Sequence, residues 1–360
     1  MFDKKPRTFN FQGKDELQFL DFCRKYPEQV IPSHKSSATE GFEYLFDLIS
    51  TNSMDVTTDF SPKDRLKQFS GDGNKLSSLK WMLKLMVKMM KWRKRCFRDL
   101  SPYYNEIETS TFINKDSKSL THNAVLWNEL NEYAATKWNV IKIGFTELPT
   151  QLIFKNKFVL FRYALIFMQE MEKDKIDEAP LSSAGREVMR IYSTLGEAVG
   201  QIARWLRKKG IRCQANHPLG GLVCTPPLAG KAGMGWQGRH GMLITPECGP
   251  RQRLAPIFIE EKIFNFTDNS DHVWIEKQCN NCGICQKNCP PSAILGEKIV
   301  SIEGIDGIEA MRKGIDREKC FPQFLKTAGC SICIKVCPFS SGPKAYEKLK
   351  NKILSKLSNL

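Results

Sequence analysis

Eight of the thirteen cysteines fall between Cys279 and Cys337, in two short runs. The first, CNNCGICQKNCP, spaces Cys279, Cys282, Cys285 and Cys289 as C-x2-C-x2-C-x3-C and closes with Pro290. The second, CFPQFLKTAGCSICIKVCP, sets Cys320 ahead of Cys330, Cys333 and Cys337 and closes with Pro338. Tight spacing lets a loop wrap one iron–sulfur cube with three thiolates, while the fourth cysteine leaves along the chain and serves the other cube. The pattern therefore predicts one 4Fe-4S cluster on Cys279, Cys282, Cys285 and Cys337, and a second on Cys289, Cys320, Cys330 and Cys333. Zinc explains less: it needs four ligands, favours paired C-x2-C knuckles, and does not call for C-x3-C-P. Two cubes in one segment make the chain at least an electron-transfer protein.

The elements that must position such a segment lie upstream. LWNELNEYAATKW reads as a helix, NVIKIGF as a strand and KFVLFRYALIFMQEM as a pair of apolar strand-like runs. In REVMRIYSTLGEAVGQIARWLRKKG, Val188, Ile191, Leu195, Val199, Ile202 and Leu206 recur at three and four residues, the stripe of a long amphipathic helix. Gly210 stands where a helix C′ glycine belongs. Strands mixed with helices imply an α/β or α+β domain. Residues 220–254 then run GGLVCTPPLAGKAGMGWQGRHGMLITPECGPRQRL, too rich in glycine for a packed element. Glycine lets backbone approach a bound group closely, and the stretch reads as a cradle for a large, polar-rimmed cofactor. Its G-x-G-x-x-G spacing lacks the strand–turn–helix context of a dinucleotide site.

The chain of 360 residues carries a formal net charge of +15 and is 41% hydrophobic. Length allows two or three domains, and the positive balance suits an acidic partner, whether nucleic acid, an anionic membrane surface or an acidic redox protein. Residues 75–98, KLSSLKWMLKLMVKMMKWRKRCFR, hold nine Lys or Arg and no acid, with Leu79, Met82, Leu83, Met86, Met89 and Met90 on one helical face. Such a helix can touch a membrane peripherally, dock an acidic electron donor, or pack its apolar face on the protein. No stretch reaches the roughly 18 apolar residues of a membrane span, and the start, MFDKKPRTFNFQGKDELQFL, has no twin-arginine pair or apolar h-region. Cys23, Cys96, Cys213, Cys224 and Cys248 add further thiols. The expectation is a cytoplasmic protein.

The order of long helix, glycine-rich loop, AGMGWQGRHGMLITPE with GPRQR behind it, and a cysteine segment ending in CSICIKVCP resembles the cobalamin-dependent reductive dehalogenases and their relatives, the epoxyqueuosine reductases. The resemblance covers about 140–340. It implies an α+β architecture: a mainly helical N-terminal region (1–120), a nitroreductase-like cobalamin-binding domain (121–265), a bacterial two-cluster ferredoxin-like domain (266–343) and a C-terminal helix (344–360). It further implies a corrinoid lined by Gly233, Gly235, Gly238, Arg239, Gly241, Leu243, Thr245 and Pro246, with Tyr192 as proton donor and Arg253 as the cation that steadies its anion. The implied activity is reductive removal of a leaving group from a small organic substrate, fed by a low-potential ferredoxin or flavodoxin. Epoxyqueuosine reductase-like tRNA modification and non-catalytic electron carriage are the alternatives. Two departures stand out. IFIEEKIF replaces the dehalogenases' Thr-Asp-Leu-Pro-Leu, and only SGPKAYEKLKNKILSKLSNL follows the cysteines, where epoxyqueuosine reductases carry helical repeats.

Overall fold

A computed structural model describes residues 123–357, apart from 150–151, 153–158, 160, 212, 217, 219–222, 260, 268–271, 301–310 and 328. The N-terminal region expected to be mainly helical, the basic stretch 75–98, Cys23 and Cys96 lie outside the described residues, as does much of the first apolar run after 156. Among the described residues no helix is long and apolar enough to cross a membrane.

Helix α1 (Ala124–Trp138) starts at Asn123, whose side chain accepts a hydrogen bond from Leu126 N at 2.9 Å, satisfying one of the orphan amides of the first turn. It ends at Asn139 in the left-handed region and buries Leu126, Leu130 and Ala134. Strands β1 (Lys142–Glu147) and β2 (Tyr163–Glu170) follow, then the short α2 (Lys173–Asp177) and the long α3 (Ser182–Lys208). Strand β3 (Cys213–Ala215), helix α4 (Thr225–Lys231), the two-residue strands β4 (Trp236–Gln237) and β5 (Leu243–Ile244), and β6 (Gln252–Ile259) complete the first part.

The main sheet is antiparallel, in the order β1-β2-β6-β3. Its two central strands are almost wholly buried: Ala164 to Met168 and Ala255 to Ile259, Pro256 included, leave little for water to touch. Helix α3 lies across this sheet. Leu195, Val199, Ile202 and Leu206 from the stripe seen in the sequence share a core with Phe145, Leu165, Phe167 and Ile257. Past the helix, Gly210 takes φ +84, the left-handed backbone that lets a chain leave a helix sharply.

The cysteine segment forms α5 (Trp274–Cys282), α6 (Ile284–Lys287), the hairpin β7 (Ile294–Val300) with β8 (Met311–Ile315), α7 (Arg317–Thr327), α8 (Ile332–Lys335), a 3-10 turn (Pro338–Ser341) and α9 (Pro343–Leu357). Helix α9 packs on α5 through Tyr346, which meets Trp274 edge-on at 5.0 Å between ring centres.

Three contacts fasten this segment to the sheet, the loop before β6 and α3. Arg251, only 4% exposed, donates to Met171 O at 2.7 Å and to Ser340 O at 2.6 Å, and pairs with Glu170 at 2.7 Å. One guanidinium thus spans the end of β2, the start of β6 and the turn after Cys337, using the planar fork that lysine lacks. At Gly249 and Gly329 backbone meets backbone. A Cβ on Gly249 would lie 2.4 Å from Phe339 O, and one on Gly329 the same distance from Gly185 Cα in α3.

Candidate electron-transfer and cofactor site

The thiols fall into two neighbourhoods. Burial, above all, raises the Cys337 thiol well above the usual range, and Cys279, Cys285 and Cys282 push it the same way as neighbouring thiols. Cys333 is pushed up to about 12, again by burial first, then by Cys320, Cys330, Cys285 and Cys289. Cys320, raised to about 11 by burial, has Cys289 and Cys330 beside it. The chain thus brings Cys337 back to the first run and Cys289 forward to the second. Among the described residues no three His, Cys, Asp or Glu side chains converge as a single ion would require, whereas a cube spreads its ligands over separate irons. Cys289 Sγ also accepts a hydrogen bond from Ala293 N at 3.3 Å, a type of contact that tunes cluster potentials.

The glycine-rich loop becomes a tight hairpin, β4 pairing with β5 through Trp236–Ile244 and Gln237–Leu243. Part of its glycine content serves the hairpin itself. A Cβ on Gly235 would sit 2.1 Å from Ile244 O, and one on Gly238 would sit 2.6 Å from Ile244 Cδ1. Gly233 and Gly241 have positive φ, +69 and +77. Leu243 and Thr245 are turned inward, 1% and 0% exposed, and Thr245 Oγ1 takes a hydrogen bond from Cys248 N. Gly241 and Pro246 are half-buried, whereas Gly233, Gly235, Gly238, Leu243 and Thr245 are buried, which leaves Gly241 and Pro246 the more open to a bound group. Arg239 points away from the hairpin, to the first cysteine turn, where it donates to Cys279 O, Asn280 O and Gln286 Oε1.

Tyr192 projects from α3 into a cluster formed by Met171, Val188, Ile191 and Ile334, alongside Met189, Met242 and Cys333. The fold therefore brings the tyrosine, the hairpin and the second thiol group together. The guanidinium carbon of Arg253 stands 4.9 Å from the Tyr192 ring centre. The contact is with the ring face, a cation–π geometry.

Among the described residues, two buried donors here have no acceptor: Arg253 Nε and His240 Nε2. His240 is 1% exposed and its Nδ1 accepts from Met242 N at 3.2 Å, so the hydrogen resides on Nε2. A buried donor without an acceptor loses its hydration for nothing in return. A bound group bearing carbonyl or amide oxygens would satisfy both. Sequence reading passed over His240, although its position between Gly238 and Gly241 in an apolar hairpin was a signal.

Burial lowers the His240 pKa to about 4. Because the folded value lies below the unfolded one, stability from this group is complete above pH ~6.5 and declines as pH falls toward 4. At pH 5 the loss amounts to about 2 kcal/mol. His240→Asn is expected to reduce the fall in melting temperature between pH 7 and pH 5, and an undiminished fall would exclude His240 as its source.

Residues 278–340 match the family described as a 4Fe-4S double cluster binding domain. A tetrachloroethene reductive dehalogenase of Desulfitobacterium hafniense is 28% identical over 183 residues, which is 49% of this chain and 32% of the relative. An epoxyqueuosine reductase of Listeria monocytogenes is 28% identical over 205 residues, 53% of this chain and 51% of the relative. The chain is a relative of both enzyme groups. It spans about a third of the dehalogenase and about half of the epoxyqueuosine reductase. The fold is also that of a catabolic reductive dehalogenase solved with 3-bromo-4-hydroxybenzoic acid, with a TM-score of 0.56 at 19% identity, covering 71% of this chain and 38% of that one.

Proposed function

We propose that this relative of the two reductase groups is an iron–sulfur oxidoreductase that delivers electrons through two 4Fe-4S clusters to a corrinoid, for reductive removal of a leaving group from a small organic substrate. The first cluster is held by Cys279, Cys282, Cys285 and Cys337, the second by Cys289, Cys320, Cys330 and Cys333. The β4–β5 hairpin of a nitroreductase-like domain would hold the corrinoid, with Gly241 and Pro246 as its open positions. Once bound, the corrinoid would supply the reducing chemistry that side chains lack, and the clusters would supply a path for single electrons.

The chain's own residues do the rest. Tyr192 offers its phenol as the proton donor beside the site, with the Arg253 guanidinium against its ring. His240 Nε2 and Arg253 Nε donate to the bound group. The observation that carries this reading is the convergence of both thiol neighbourhoods with a hairpin and a tyrosine–arginine pair that leave two buried donors unmatched. A low-potential ferredoxin or flavodoxin in the cytoplasm is the proposed electron source, and residues 75–98 are a candidate surface for a donor or a membrane.

Anaerobic reconstitution with iron, sulfide and hydroxocobalamin tests the proposal. The expected outcome is about eight irons, four per cube, and one cobalt per chain. Full iron without cobalt would reduce the protein to an electron carrier. The second reading, tRNA modification, is favoured by the epoxyqueuosine reductase relatives and by the +15 charge, because phosphate contacts dominate RNA affinity. No shift of tRNA in a gel at low salt would remove it.

A further inference from the structure

We infer that Arg239 is a positioning residue that clamps the first cysteine turn to the glycine hairpin and whose cation holds the potential of the cluster on Cys279, Cys282, Cys285 and Cys337 above the value its surroundings would otherwise set. The inference rests on the two-cluster reading. It adds a role for a side chain that the family resemblance places at the corrinoid.

The geometry begins with the end of α5. The last four carbonyls of a helix have no partner within it, and those of α5 belong to residues 279–282, a stretch that includes Cys279 and Cys282. Arg239 Nε donates to Cys279 O at 3.1 Å and Nη2 to Asn280 O at 3.3 Å. Its third contact, Nη1 to Gln286 Oε1 at 3.2 Å, reaches past Cys285 into α6. One planar side chain therefore spans the turn from Cys279 to Gln286, and it comes from the β4–β5 loop some forty positions earlier. Cys279 and Cys337 pack in the same cluster as Ile244 and Trp236 of that hairpin, so the clamp lies over an apolar contact.

The electrostatics follow from the same placement. A helix C-terminus carries partial negative charge, and this one abuts a group that gains a further negative charge when it accepts an electron. Net charge, hydrogen bonds and solvent exposure set cluster potentials. A guanidinium that never loses its proton, hydrogen-bonded to the backbone of a ligand residue, opposes both negative charges and favours the reduced state. The Arg239 charge also acts on the Cys285 thiol of this same group.

The test is a redox titration of the reconstituted protein without corrinoid, followed by electron paramagnetic resonance, on the wild type, Arg239→Gln and Arg239→Lys. Glutamine keeps a donor and removes the charge, whereas lysine keeps the charge and removes the fork. The expected result is a fall in one midpoint in Arg239→Gln, an unmoved second midpoint, and a first midpoint close to wild type in Arg239→Lys. Unchanged midpoints in Arg239→Gln overturn the inference. So does an equal fall of both, or a fall in Arg239→Lys as large as in Arg239→Gln. Should Arg239→Gln lose iron, loss of about half the total, one cube of two, supports the clamp, and loss of all of it counts against a local role. If the wild type itself shows no cluster signal, the two-cluster reading fails first.

Discussion

Replacing Gly329 with alanine is expected to cost about 3 kcal/mol or more and to strip iron from the second cysteine group. Gly329 holds φ +114, and a Cβ there would lie 2.4 Å from Gly185 Cα. A strained backbone of this kind costs a side-chain-bearing residue about 1–3 kcal/mol, and overpacking adds about 1–3. No side chain can swing aside to relieve the clash, because the neighbour is the backbone of α3. The segment must back away from the helix, carrying the adjacent Cys330 with it. Gly210→Ala is the matched control: φ is +84, but nothing lies within 4 Å of its Cβ. It should show the backbone cost alone, about 1–2 kcal/mol, with iron unchanged. Thermal unfolding and iron per chain measure both. Equal effects in the two variants would remove the close approach to α3 as the cause.

Tyr192→Phe is expected to lower turnover by about 10²–10⁴-fold, the range for losing a positioned proton donor, while leaving iron and cobalt content at wild-type levels. The ring of Tyr192 packs with Met189, Met242 and Cys333 and lies under Arg253, and phenylalanine keeps that ring and its contacts. What is lost is the hydroxyl. Steady-state turnover with a chemically reduced donor, alongside cofactor spectra, separates the effects. Turnover equal to wild type with both cofactors bound would take the proton role from Tyr192. A parallel loss of cobalt would make the residue part of the binding surface instead.

Several parts of this architecture were legible in the order of residues. The α3 stripe was legible because helix periodicity is local, and Val188 through Leu206 are buried as that period requires. Strand β6 was harder to see. It carries Pro256, and proline gives no ladder hydrogen bond. In the sheet, Pro256 O receives Asn216 N at 3.0 Å, so its nitrogen faces the same edge, just beyond the last residue of β3. The missing donor falls where the ladder has already ended. The reach of Arg239 was not legible for a related reason: the motif places it beside glycines, but a long side chain acts where its head arrives, and its head arrives at α5.

By itself the sequence determined the cysteine spacing, and with it the chemistry those thiols suit, because ligand spacing within a turn is set by covalent chain geometry. It also determined the long helix and the glycine-dense loop. Only the tertiary structure decided that Arg253 meets the ring of Tyr192, that Arg239 reaches the end of α5, and that His240 is buried with a donor unmatched among the described residues. Those relations depend on where distant segments meet in space, and such meetings are set by packing of the sheet, α3 and the cysteine segment together, which no local pattern of residues encodes.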